Sequence, residues 1–158
     1  MQIYGFAFGR NLSAYVLWRL KNIDCCYQIF PNNLDRYLQM ILHDQPEYIL
    51  GLGVYSGIDQ DKIRIETKCS NQFRNDFIEE NKFEEILMNP FLKPFQLSKY
   101  ATGIGNFYCN LVSWKIMRFI LQKKLKSQYT FLHIPKSLGT IMLVKEIDFL
   151  MKVLHDKS

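Results

Sequence analysis

The sequence predicts an α/β protein: a three-layer αβα sandwich with a largely parallel mixed sheet and helices on both faces. Two observations carry this. Short apolar runs rich in aromatic and β-branched residues alternate with segments of helical periodicity along most of the chain. The 158 residues, 48% of them hydrophobic and 22% charged, have the balance of an ordinary globular protein with one substantial core. With no internal repeat, low-complexity tract or linker-like stretch, residues 1–158 read as a single domain.

The elements follow in order. QIYGFAF (2–8) suits a buried first strand. After it, AYVLWRLKN (14–22) has helical spacing, with Val16, Leu17 and Leu20 on one face and Asn11 or Ser13 as N-cap. CCYQIF (25–30) reads as a second strand. LDRYLQMILHDQ (34–45) is helical through Leu34, Leu38, Ile41 and Leu42. YILGLGVY (48–55) is a central strand ending at glycines, and KIRIET (62–67) alternates as a half-buried strand does. Within 72–97, IEENKFEEILM (78–88) suits a short helix before Pro90 and Pro94 interrupt. NFYCNLVSWKIMRFILQKKL (106–125) is the strongest helix, with Leu111, Trp114, Met117 and Leu121 as its apolar stripe. YTFLHIP (129–135) is a strand stopped by proline, and 139–156 forms a closing helix.

Several function classes fall away. No apolar run reaches the ~18–20 residues of a membrane span, and MQIYGFAFGR lacks the basic flank of a signal peptide. A cytoplasmic protein without membrane partners is expected. The net charge of +5 raises nucleic acid as a partner. The densest basic run, KIMRFILQKKLK (115–126), instead suits a helix end, where cations meet the negative pole of the dipole. A nucleic-acid surface through Lys115, Arg118, Lys123, Lys124 and Lys126 ranks last, because it leaves the polar blocks below unexplained. Cys25, Cys26, Cys69 and Cys109 have no metal-ligand spacing and read as free thiols. No metal or cofactor is expected.

In parallel sheets, ligands bind at the carboxyl ends of strands. Three polar residues fall near predicted strand ends or helix starts: Glu66, Cys109 and His133. A thiol at a helix N-terminus beside a cationic histidine has its pKa lowered, to roughly 3.5–7.5. A histidine then serves as base and acid, and a carboxylate on its other nitrogen orients it. Cysteine, histidine and glutamate are thus a sufficient set for acyl transfer. Each also has an ordinary alternative: a small core cysteine, a satisfied core histidine, a solvated strand-end carboxylate. Their joint placement with the glycine-rich turns GLGVYSG and GIGN favours the chemical reading.

Together these blocks resemble the pyroglutamyl-peptidase I (pyrrolidone-carboxylate peptidase) family of cysteine peptidases. GNFYCN (105–110) is similar to the alanine-glycine-x-phenylalanine-x-cysteine-asparagine block around that family's nucleophile, and FLHIP (131–135) to the block holding its general base. IETKCSN (65–71) resembles the block in which the glutamate is followed five positions later by asparagine, here Glu66 and Asn71. ILGLGVYSG (49–57) resembles the glycine-rich strand end before it, and GFAFG with Asn11 and Ser13 the opening loop. The resemblance runs in order through most of the chain. It implies Cys109 as nucleophile, His133 as general base and Glu66 as orienting carboxylate. It also implies an N-terminally blocked peptide as substrate, with Phe6, Phe8 and Phe107 around its ring, and self-association.

The chain departs from the family in two places. Phe6 and Phe8 are two apart where the family has three, without the intervening proline. The stretch from Glu66 to Cys109 is short and does not reproduce the segment carrying the family's arginine near the scissile carbonyl; Arg74 is the nearest candidate. A divergent member acting on another small acyl compound, with weak or no pyroglutamyl activity, is the alternative expectation.

Overall fold

The computed structural model describes residues 1–58, 60–79 and 82–156. Among the described residues there are eight strands: β1 (Ile3–Phe8), β2 (Cys25–Ile29), β3 (Tyr48–Tyr55), β4 (Ile63–Glu66), β5 (Lys68–Ser70), β6 (Glu85–Leu87), β7 (Ser98–Ala101) and β8 (Gln128–Pro135). The helices are α1 (Leu12–Leu17), α2 (Leu34–Asp44), α3 (Tyr108–Lys123) and α4 (Thr140–His155). Six strands form one sheet in the order β2-β1-β3-β8-β4-β7. All neighbours in it are parallel except β4 and β8, which run antiparallel.

Two apolar clusters cover the sheet, one on each face. On one side α2 and α3 pack through Tyr37, Ile41, Trp114 and Ile116 against Phe6, Ile49 and Phe131. On the other, α1 and α4 pack through Val16, Leu17, Leu143 and Ile147 against Ala7, Leu50, Leu52 and Leu132. Alternation explains the split: residues two apart on a strand share a face, so Phe131 faces α3 while Leu132 faces α4. The three-layer α/β architecture therefore stands as the sequence predicts.

Four local features differ from the sequence reading. The helix after β1 is capped by Asn11, whose Oδ1 accepts from Ser13 N at 2.9 Å, but it ends at Leu17 rather than running to Asn22. The apolar stripe of α3 is shifted: Val112, Trp114, Ile116, Met117 and Ile120 are buried while Leu121 is exposed, because the helix is apolar over most of its circumference. The short helix expected over 78–88 is absent among the described residues, Glu80 and Asn81 lying outside them. There Glu85–Leu87 instead pairs as β6 with β5, in register Cys69↔Ile86, and a long-range ladder replaces local helix formation. The strand β7, paired in parallel with β4, lies in the segment for which the sequence predicts no strand.

Candidate active site

Strand alternation builds the first part of the site. Arg64 and Glu66, two apart on β4, share a face. Across the antiparallel ladder Arg64 is the partner of His133 and Glu66 that of Phe131. Glu66 and His133 are thus diagonal neighbours, a separation that long side chains bridge. His133 Nδ1 lies 2.8 Å from Glu66 Oε1, with both residues buried. Arg64 Nε donates to the same Oε1 at 3.1 Å. Burying a carboxylate without such partners would cost several kcal/mol, on the order of the penalty for an unpaired buried ion. Glu66 Oε2 has no hydrogen-bond partner among the described residues.

The imidazole is framed by rings. Phe131 meets it edge-on at 5.0 Å between centroids, and Tyr55 lies at 6.0 Å. With Nδ1 engaged by Glu66, Nε2 is the ring atom left for proton exchange.

Cys109 is the second residue of α3, after the N-cap Phe107. Gly105, with φ +86°, turns the chain into that helix. The sulfur rests on bare backbone: a Cβ on Gly53 would lie 2.9 Å from Cys109 Sγ and 2.8 Å from Phe131 Cζ. Gly53 is the register partner of His133 on the neighbouring strand, and adjacent strands run only about 4.8 Å apart. Cys109, His133 and Glu66 therefore occupy one face of the sheet, around the β3–β8–β4 rungs. Asn110, fully buried, fixes the start of α3. Its Oδ1 accepts from Ser70 N at 2.8 Å, and its Nδ2 donates to Ser70 O at 2.9 Å and Gln72 O at 2.5 Å.

Burial pushes the Cys109 thiol up to about 12, and the negative charge of Glu66 adds to the rise. The sequence predicts the opposite direction from the position at a helix start. Desolvation decides the outcome: Cys109 is half-buried overall, but its sulfur sits against Gly53 at the edge of the apolar cluster that holds Phe131, where the thiolate loses hydration.

The remaining sequence candidates separate. Phe6 is fully buried and packs on Phe8, Tyr37, Tyr129 and Phe131, as a core residue does. Phe8 lines an open apolar cleft of about 290 Å³, with Ile29, Pro31, Leu34, Tyr108 and Leu111. This cleft lies at the carboxyl ends of β1 and β2, beside the start of α3. Phe107 is largely exposed. Arg74, at φ +58°, is clasped to the turn before α3: its N–H donates to Asn106 O at 2.6 Å, and its carbonyl accepts from Asn106 Nδ2 at 2.9 Å. Its guanidinium lies 6.0 Å from the Phe107 ring centroid. Asn71 is buried and structural, accepting from Glu79 N at 2.7 Å and donating to Lys82 O at 3.0 Å.

Sequence reasoning missed two residues, Arg64 and Gly53. Both carried a signal in strand periodicity: Arg64 stands two before Glu66, and the glycines of LGLG recur every second residue. Among the described residues no group of three or more His, Cys, Asp or Glu is placed to hold a metal ion. The four cysteines are free thiols.

No protein-family model matches the sequence, and no curated protein does. Solved structures match over nearly the whole chain. Pyroglutamyl peptidase I from Bacillus amyloliquefaciens superposes with a TM-score of 0.77 at 15% identity, covering 93% of this chain and 93% of that one. The fold is that of the pyroglutamyl peptidases. The pyrrolidone carboxyl peptidase of Thermococcus litoralis aligns with a TM-score of 0.67 at 14% identity, covering 99% of this chain and 96% of that one. A mutant pyrrolidone carboxyl peptidase from Pyrococcus furiosus gives 0.69 at 14% identity and 99% of both chains. In this version of the pyroglutamyl-peptidase fold, the β5–β6 ribbon lies between Glu66 and Cys109 in the chain. No helix among the described residues is long and apolar enough to cross a membrane.

Proposed function

We propose that this protein is a cysteine peptidase of pyroglutamyl-peptidase type, removing an N-terminal pyroglutamyl residue through a thioester intermediate. The observation that carries the reading is the seat of Cys109 Sγ on Gly53, the register partner of a histidine whose Nδ1 is held by Glu66. The fold it shares with pyroglutamyl peptidases supports the same chemistry.

The mechanism follows from protonation states. A thiol pushed up to about 12 rests neutral, so its proton must leave as the sulfur attacks. His133 Nε2 accepts that proton while the C–S bond forms at the carbonyl carbon. The negative charge of Glu66 stabilises the resulting imidazolium. The oxyanion is held by N–H groups in the first turn of α3, which have no partners within the helix. The C–N bond then breaks and His133 returns the proton to the departing amine. Water, deprotonated by His133, attacks the thioester and releases the free acid with the thiol restored.

The test is release of a reporter amine from a pyroglutamyl amide under reducing conditions, beside Cys109→Ser. Release by the unaltered protein alone supports the reading; equal release by both, or none from either, overturns it. The apolar cleft bordered by Phe8 and Tyr108 favours a second reading, hydrolysis of another small acyl compound. A buried lactam needs polar partners, and the side chains there are mostly hydrocarbon. A panel of apolar acyl amides, cleaved while pyroglutamyl amides are spared, would select it.

A further inference from the structure

Glu66 has two nitrogen neighbours on one oxygen, Arg64 Nε and His133 Nδ1, and only the histidine takes part in the mechanism above. The geometry points to Arg64 as a positioning residue that limits how tightly Glu66 holds a proton on His133, leaving the imidazole free to accept the proton of Cys109. This rests on the reading of His133 as general base.

Arg64 Nε and His133 Nδ1 both contact Glu66 Oε1, at 3.1 and 2.8 Å. The guanidinium is therefore within about 6 Å of the imidazole, close enough for a fixed charge to act on its titration. The side chain is 14% exposed, so water screens that charge only weakly. It is also held in place. Its guanidinium lies 4.4 Å from the Tyr55 ring centroid, and Nη2 donates to Gly103 O at 3.4 Å, in the turn that leads to α3.

Among the described residues, four titratable groups are placed around His133. Glu66 and Arg64 approach from β4, Tyr55 from β3, and Cys109 from the start of α3. Glu66 alone favours the imidazolium. A histidine already protonated cannot act as a base, and general-base catalysis works best when the base is poised near the operating pH. Arg64 opposes protonation twice: by repulsion between like charges, and by sharing the carboxylate oxygen that would otherwise serve His133 alone.

The experiment is an NMR titration of the histidine ring protons, with His133→Asn identifying the His133 signal beside His43 and His155. Arg64→Met and Arg64→Gln both remove the charge, and Arg64→Gln keeps a donor for Oε1. We expect the His133 midpoint to rise by about one pH unit, roughly a tenfold gain in proton affinity, in whichever of these variants folds. Arg64→Lys should bring it back toward the unaltered protein. A midpoint unchanged in a folded charge-free variant, or lowered, overturns the assignment. A merely structural arginine would alter thermal stability without this ordered set of midpoints. The titration reads the dyad without any substrate, so failure of the reporter assay and failure of this assignment are separate results.

Discussion

His133 and Glu66 meet diagonally across an antiparallel strand pair, 2.8 Å apart and both buried. The pair depends on the reversal of one strand. Had β4 run parallel to β8, the register bringing Arg64 opposite His133 and Glu66 opposite Phe131 would not exist. The sheet thus supplies the orientation of the imidazole, and α3 sets the sulfur against Gly53, the register partner of His133.

Glu66→Gln keeps the size of the side chain and removes its charge. Arg64 then loses its ion partner in a site that is 14% exposed on its side and closed on the other. Breaking a buried pair by removing one member leaves the other uncompensated, and the expected loss is about 3 kcal/mol. Urea unfolding measures it as a fall in midpoint at unchanged slope. An unchanged midpoint would mean that solvent reaches Arg64 more freely than its burial indicates.

Gly53→Ala tests the seat of the sulfur. The new Cβ would lie 2.8 Å from Phe131 Cζ and 2.9 Å from Cys109 Sγ, so both must give way. Phe131 is fully buried against Phe6 and cannot withdraw freely. Overpacking of this kind costs about 1–3 kcal/mol. The expected outcome is a lowered thermal midpoint together with reduced thiol-dependent reporter release, as the sulfur shifts from the rung of His133. Full stability with full activity would show that the close approach is easily relaxed.

The limits of the sequence lie where pairing is distant or depth decides. YILGLGVY is long and apolar enough to read as a strand, and β3 spans the same Tyr48–Tyr55. LDRYLQMILHDQ reads as a helix because its apolar residues recur at helical spacing, and α2 follows. Within 78–88, the glutamates favour a helix locally, but β5 offers Cys69 as a partner for Ile86, and a three-residue strand has too few positions to show a period. Cys109, His133 and Glu66 stand out by residue type and neighbouring glycines. Arg64 does not, because its role arises from the β4–β8 register, which joins residues far apart in the chain. Its closeness to Glu66 in sequence shows a shared strand face and nothing of His133.

Asn110→Ala should show how much of the site depends on the start of α3. The amide side chain ties Ser70 N, Ser70 O and Gln72 O to the helix. All of these contacts are lost together, and each buried group left unpaired costs about 1–3 kcal/mol. The expected result is a loss of at least about 2 kcal/mol in urea unfolding, with Cys109 becoming more accessible to alkylation. Asn110→Asp keeps the acceptor for Ser70 N but faces two carbonyls with a negative charge. It should be no better than alanine.

The pH dependence of Cys109 alkylation separates burial from helix-start activation. A thiol with a raised pKa is protonated below that pKa and gains thiolate as pH rises. With the thiol pushed up to about 12, iodoacetamide modification should climb about tenfold per pH unit from pH 7 to 10 and reach no plateau, since the thiolate is the reacting form. A helix-activated thiol would instead level off by about pH 8. Mass spectrometry of the Cys109 peptide, checked against Cys109→Ser, gives the rates. Glu66 contributes to the rise through its negative charge, so Glu66→Gln should lower the thiol pKa and speed alkylation at fixed pH. A plateau near neutrality, or slower alkylation in that variant, would require a thiolate stabilised at rest, and proton transfer to His133 would no longer accompany attack.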